Sequence, residues 1–230
     1  IAEANLGPAV SHDSYLINLA SPKAETHGKS VALMVDEIER CEALGIGYLV
    51  AHPGAHTGSG EEAALEKIAR SLDQIHRDLP GYQTITCLEI TAGQGTNVGY
   101  RLEHLHQIID RVTEPQRLGV CLDSAHALAA GYDLTSREGA EAFCQQVEAV
   151  LGLERVCVWH LNDSKVPLGS RVDRHEHIGH GHLSLEAFEV IVNHPAFLQK
   201  PKILETPKQT APDGRPWDTV NLETLRGLMH

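Results

Sequence analysis

The chain has 230 residues, of which 42% are hydrophobic and 22% charged, a balance that excludes intrinsic disorder and supplies a full core without disulfides. A net charge of −12 argues against nucleic-acid binding by bulk electrostatics. No apolar run approaches the ~18–20 residues that a membrane-spanning helix needs, and no signal peptide is legible.

Histidine is the compositional outlier, at 15 residues, and imidazole is the commonest protein metal ligand. The five cysteines (Cys41, Cys87, Cys121, Cys144, Cys157) form no CxxC pair. Cys87, Cys121 and Cys157 lie in apolar runs and read as small buried hydrophobes of a reducing compartment, so a cytoplasmic address is expected.

In chain order, a partial strand precedes His12, and an amphipathic helix follows over 30–44, where Val31, Met34, Val35, Ile38 and Cys41 fall at helical spacing. The apolar run Gly45–His52 is a strand, and Leu65, Ile68, Ala69, Leu72 and Ile75 mark the next helix. Thr84–Thr91 is a third strand, and Leu102, Leu105, Ile108, Ile109 and Val112 a third helix. Strands at Arg117–Ser124, Arg155–Leu161 and Pro201–Thr206 frame helices through Phe143–Val150 and Leu185–Val192. Ser59-Gly-Glu-Glu62 and Thr135-Ser-Arg-Glu138 have the form of capping boxes. A proline-containing loop over 207–216 leads to a last short helix. The strands are apolar with little alternation, as parallel strands covered on both faces are.

Each apolar run ends on, or just before, a potential metal ligand: His12, His52, Glu89, Asp123, His160 and Glu205. The mean spacing, (205 − 12)/5 ≈ 39 residues, is that of a βα unit. An open sheet gathers its site at one switch point, whereas a barrel points every strand end at one mouth. The fold expected is therefore a (β/α)8 TIM barrel, read as a single domain over 1–230. About six of its eight βα units are visible, which predicts that some two units belong to a longer protein.

Glu89 sits inside an apolar run, where a carboxylate is costly unless paired or metal-bound. Asp123-Ser-Ala-His126 presents two ligand types after a strand, and Asp173-Arg-His175 follows in a polar loop. His177, His180 and His182 extend that loop, so spacing alone does not choose among its imidazoles. Imidazoles and carboxylates without thiolates suit zinc, manganese or iron, and nine such residues exceed what one catalytic ion takes. Two or three ions sharing a bridging carboxylate would use them all, and two-metal sites typically activate water against a phosphate. The segment Ala92–Gly99 has GxGxxxG spacing, which fits neither a dinucleotide fingerprint nor a P-loop and reads as a mobile strand-to-helix loop. No GxSxG elbow is present.

The motifs His12-Asp-Ser-Tyr-Leu-Ile-Asn-Leu, His52-Pro-Gly, Leu88-Glu-Ile-Thr-Ala-Gly-Gln-Gly, Cys121-Leu-Asp-Ser-Ala-His-Ala-Leu-Ala-Ala-Gly-Tyr-Asp133, His160-Leu-Asn-Asp-Ser-Lys, Gly169-Ser-Arg-Val-Asp-Arg-His175 and Ile203-Leu-Glu-Thr together resemble the endonuclease IV (deoxyribonuclease IV) family over essentially the whole chain. The resemblance implies a TIM barrel with a trinuclear Zn²⁺ centre, Mn²⁺ serving in part. It further implies cleavage of double-stranded DNA on the 5′ side of abasic sites and trimming of blocked 3′ ends.

By motif, His12 and His52 would hold one zinc, with Glu89 bridging it to a second completed by Asp123, His160 and Glu205. His126, Asp173 and His175 would hold the third. Glu89, Asp123 and Glu205 are the candidate catalytic carboxylates, around a metal-bridging hydroxide that would attack phosphorus. Tyr15 and Leu16 would probe the minor groove near the lesion, and Lys165, Arg171 and Arg174 would contact phosphates. Three Zn²⁺ would bring the net charge from −12 to −6, leaving any positive potential local to the metals.

No membrane and no obligate protein partner are expected. Two other readings stand beside this one: a divalent-metal sugar isomerase or epimerase on a related barrel, and an inactive fragment that binds metal or DNA without turnover. The first would use only Glu89, Asp123, His160 and Glu205.

Overall fold

A computed structural model describes residues 7–230. The chain divides into two compact units, Ile1–Ile90 with Gly95–Cys121, and Thr91–Gln94 with Leu122–His230.

In the first unit, strands β1 (Val10–His12), β2 (Tyr48–Ala51) and β3 (Ile85–Glu89) run parallel, and β3 pairs in parallel with the first part of β4 (Leu118–Asp123). The register is in step: His12 lies opposite Val50, and Ala51 opposite Leu88. His12, His52 and Glu89 thereby all arrive at the carboxyl ends of adjacent strands. Helices α1 (Ala24–Leu44), α2 (Glu61–Asp78) and α3 (Leu102–Arg111) make the connections. In α2, Leu65, Ile68, Leu72 and Ile75 are each at most 2% exposed, worth roughly 1.5–3 kcal/mol apiece in removed apolar surface.

In the second unit, α4 (Ser124–Ala130) follows directly on β4, and α5 (Arg137–Val150) leads to β5 (Val156–His160). A short antiparallel hairpin of β6 (Asp163–Ser164) and β7 (His175–Glu176) precedes α6 (Leu185–Asn193), β8 (Lys202–Ile203) and α7 (Trp217–Gly227). β5 and β8 are parallel, with His160 opposite Ile203. An aromatic chain runs from the half-buried Tyr132 through the buried Phe143 and Trp159 of β5 to the buried Phe197, with ring centroids 5.0, 6.4 and 5.2 Å apart.

Several local expectations change. α1 begins at Ala24, not at residue 30, because its first turns are mostly exposed and carry no apolar period to read. Ser59 does not cap α2: the N-cap is Gly60, and the Ser59 hydroxyl donates to the His56 carbonyl. α5 is capped by Ser136, which accepts from Gly139 N–H, while Thr135 bonds to Asp133. The strand expected over 201–206 contracts to the two residues of β8. Cys157 is only partly buried, though the other four cysteines are buried.

The glycine-rich segment is pinned, against the expected mobility. His56 N–H donates to the Thr96 carbonyl and Val98 N–H to the Gly54 carbonyl, both at 2.9 Å. Gly99, at φ +93°, packs so closely that a Cβ there would lie 2.8 Å from Pro53 Cγ, beside His52. Among the described residues, no helix is long and apolar enough to cross a membrane.

Candidate metal centre

The first unit brings together His12, His52 and Glu89, whose ligand atoms lie within 4.8 Å of one another. Glu89 is fully buried, and its Oε2 is met by His12 Nε2 at 3.0 Å and His52 Nε2 at 3.3 Å. His12 Nδ1 lies 3.0 Å from the Asp13 carbonyl and 3.3 Å from its carboxylate, so Nδ1–H donates outward and Nε2 is aimed at Glu89. This is the arrangement by which an outer hydrogen bond sets the tautomer of a metal-binding histidine. Burial works against the His12 imidazolium, but the hydrogen bonds from Asp13 and Glu89 outweigh it and hold the pKa up to about 10. Burial also raises the Asp13 carboxyl against the pull of His12. A divalent cation would satisfy the same convergent donors with neutral imidazoles.

The second unit assembles a denser set. Asp123 ends β4 as the N-cap of α4, its Oδ1 accepting His126 N–H at 2.7 Å, which carries His126 one turn into the helix. His126 Nε2 and His175 Nε2 face each other at 3.4 Å, and Asp173 reaches them with Oδ2 at 3.2 Å and Oδ1 at 3.4 Å. Two imidazole nitrogens and a carboxylate so disposed are a donor set for a cation of the zinc, manganese or iron class. His175 Nδ1 lies 3.3 Å from the Glu205 carbonyl, which leaves Nε2 for the ligand role. His160 Nδ1 lies 3.0 Å from Glu205 Oε2 and 4.0 Å from Asp123 Oδ2, so these three also converge.

Every sequence-predicted ligand is therefore near another within its own unit. The histidine tract sorts itself too: His175 joins His126, whereas His177 stacks on Trp217 at 3.9 Å and His180 meets the same ring edge-on. Tyr15 and Leu16 are 94% and 64% exposed. Lys165, Arg171 and Arg174 are exposed around the β6–β7 loop, with Lys165 3.9 Å from Glu176 and Arg174 donating to the Asp173 carbonyl.

Sequence reasoning missed Asp13, Ser124, Asn162 and Asp163, which hold the ligands or their loops by hydrogen bonds. Asp163 is fully buried, and its carboxylate accepts from the backbone N–H groups of Ser164, Gly179, Gly181 and Leu183. Their only signal is adjacency to a strand end.

A family model described as xylose isomerase-like TIM barrel matches residues 1–227. The chain is 49% identical over 222 residues to a probable endonuclease 4 of Chloroflexus aurantiacus, covering 96% of this chain and 77% of that one. The chain belongs to the endonuclease IV family. The endonuclease IV structure from Thermus thermophilus superposes with a TM-score of 0.79 at 36% identity, covering 96% of this chain and 75% of that one. Endonucleases are hydrolases, so the family is one of enzymes. A D-tagatose 3-epimerase-like protein shares the barrel fold at 20% identity and a TM-score of 0.72, over 98% of this chain and 78% of that one. The partial (β/α)8 barrel expected from the strand spacing is thus the fold of this chain.

Proposed function

We propose that this endonuclease IV family member hydrolyses the DNA phosphodiester 5′ to abasic sites and clears blocked 3′ ends, using Zn²⁺ with Mn²⁺ as a partial substitute. The observation that carries the reading is the convergence of carboxylates and imidazoles in both units, around the buried Glu89 in one and the buried Asp123 in the other, in a chain 49% identical to a probable endonuclease 4. Three ions per chain are proposed. In the first unit His12, His52 and Glu89 hold metal; in the second, Asp123, His126, His160, Asp173, His175 and Glu205 do. Bound metal would supply Lewis-acid stabilisation of the phosphoryl charge and a nucleophile at neutral pH.

The chain's own residues do the rest. Glu89, Asp123 and Glu205 keep negative oxygens fixed where the cations bind, so little reorganisation is needed during reaction. Asp13 and the Glu205 carbonyl hold His12 and His175 with Nε2 inward. Tyr15 and Leu16 present apolar surface to the duplex at the lesion, and Lys165, Arg171 and Arg174 bind backbone phosphates. Because the chain carries −12 overall, DNA binding is proposed to depend on these local charges and on the bound cations. Four buried cysteines in a chain with no CxxC pair fit a reducing, cytoplasmic setting.

The test is incision of a duplex carrying one abasic site, with and without chelator, alongside metal analysis of the purified chain. About three zincs per chain and chelator-sensitive 5′ incision are expected. Metal near one equivalent with no incision favours the epimerase chemistry instead, and three metals without incision marks an inactive binder.

A further inference from the structure

The fully buried Asn162 lies just past the end of β5 and ties two candidate ligands together. Its carboxamide can point only one way. Glu205 N–H is a donor, so the atom 2.8 Å from it is Oδ1; the atom 2.6 Å from Asp123 Oδ2 is then Nδ2, which donates. The backbone of Asn162 is held just as firmly. Its N–H donates to Ser124 Oγ at 2.9 Å, and the Ser124 hydroxyl donates to its carbonyl at 2.7 Å. Ser124 is the residue after Asp123, so the strand end that supplies one ligand also clamps the residue that orients it. Asp123 Oδ1 accepts from His126 N–H while Oδ2 accepts from Asn162, which fixes the plane of the carboxylate. His175 Nε2 lies 3.7 Å and His160 Nδ1 4.0 Å from Oδ2.

We propose that Asn162 is a positioning residue of the metal centre: it sets the orientation of the Asp123 carboxylate and the backbone position of Glu205, and so the affinity for the ion these residues bind. The inference rests on the reading that the second unit binds metal. Asn162 offers no contact to substrate; it acts through two ligands. Outer hydrogen bonds of this kind typically change metal affinity about 10–100-fold when lost.

Two substitutions separate its two bonds. Asn162→Leu removes both, whereas Asn162→Asp keeps an acceptor for Glu205 N–H but turns an oxygen on Asp123 Oδ2 where a donor stood. The whole chain is titrated with Zn²⁺ against a chromophoric chelator and with Co²⁺, whose d–d absorption reports ligand geometry, and melted without metal. Both variants should bind at least one ion about 10–100-fold more weakly than the parent, with an altered Co²⁺ spectrum. Parental affinity and spectrum in a folded variant, or tighter binding in Asn162→Asp, would overturn the proposal. If neither variant folds, Ser124→Ala, which frees the Asn162 backbone but keeps its carboxamide, carries the test with the same expected direction. A parent chain that binds no metal at all would instead overturn the functional reading beneath it.

Discussion

The two units each gather candidate metal ligands, with unequal support. In the first, three candidate ligands sit at the ends of adjacent parallel strands, and two of them, His12 and His52, expose about a third of their side chains (33% and 37%). The Asp13 carbonyl orients His12 within the set. In the second, candidate ligands come from a helix cap, a strand end and a hairpin; Asp123, His126 and His160 are buried, Asp173 and Glu205 expose 42% and 33% of their side chains, and Ser124, Asn162 and Asp163 hold the backbone around them. Strand register alone places ligands when they share a sheet edge. Ligands carried on loops need a hydrogen-bonded frame, because irregular backbone has no ladder to fix it.

Removing a ligand carboxylate should have the largest effect on either side. Glu89→Gln and Asp123→Ala are each expected to cut abasic-site incision on the order of 10³-fold, about 4 kcal/mol of transition-state stabilisation. The units should then diverge in metal-free melts. Asp123→Ala also strips the α4 cap and the Asn162 bond, costing about 1–2 kcal/mol, while His52→Ala should stay within about 0.5 kcal/mol. Equal losses would break the comparison.

An acid-sensitive element lies in the first unit, on the buried His76 of α2. Burial, reinforced by the neighbouring Arg117 charge, lowers its pKa from the ordinary 6.5 to about 4. The unfolded chain therefore takes up the proton first as pH falls. His76 favours folding fully above about pH 6.5, and that contribution is lost as the pH falls toward 4. Chemical denaturation across this window should show a loss of roughly 2–3 kcal/mol that His76→Gln reduces. An unchanged pH slope in the variant would discard the assignment.

In the second unit, a Cβ on Gly181 would overlap both Asp163 Oδ1 and the Ser164 carbonyl. Gly181→Ala should cost about 1–3 kcal/mol by thermal melt, since neither backbone nor buried carboxylate can yield easily. A parental melting temperature would show that the frame is softer than its hydrogen bonds imply. The smallest effect on stability is expected at the exposed Tyr15. Tyr15→Ala should leave the melt within about 0.5 kcal/mol but weaken binding to an abasic duplex by about 1–2 kcal/mol. Binding is read by fluorescence anisotropy, and a fall in stability with intact affinity would reverse the roles.

The strands were legible because parallel strands covered on both faces must be apolar runs, and the ligands because polar residues stand out where those runs stop. Val120, Cys121 and Leu122 are unexposed, and Asp123 ends their strand. The β6–β7 hairpin was not legible: Asp163, Ser164, His175 and Glu176 have no periodicity, and their pairing is fixed by register across a ten-residue loop. Nor could spacing separate His175 from His177, since both belong to one polar loop. Stacking on Trp217, 40 residues away in sequence, decides that His177 packs.

The sequence by itself determined the alternation of strand and helix, the types of the candidate ligands and their order along the chain, because burial restricts which residues stand inside the strands and leaves polar ones at their ends. The tertiary structure alone decided which nitrogen of His12 and His175 points inward and which way the Asn162 amide faces. It also decided that Asp163 serves a loop rather than an ion. Each of these depends on a donor or acceptor brought from elsewhere in the same unit, and a hydrogen bond leaves no trace in composition or period.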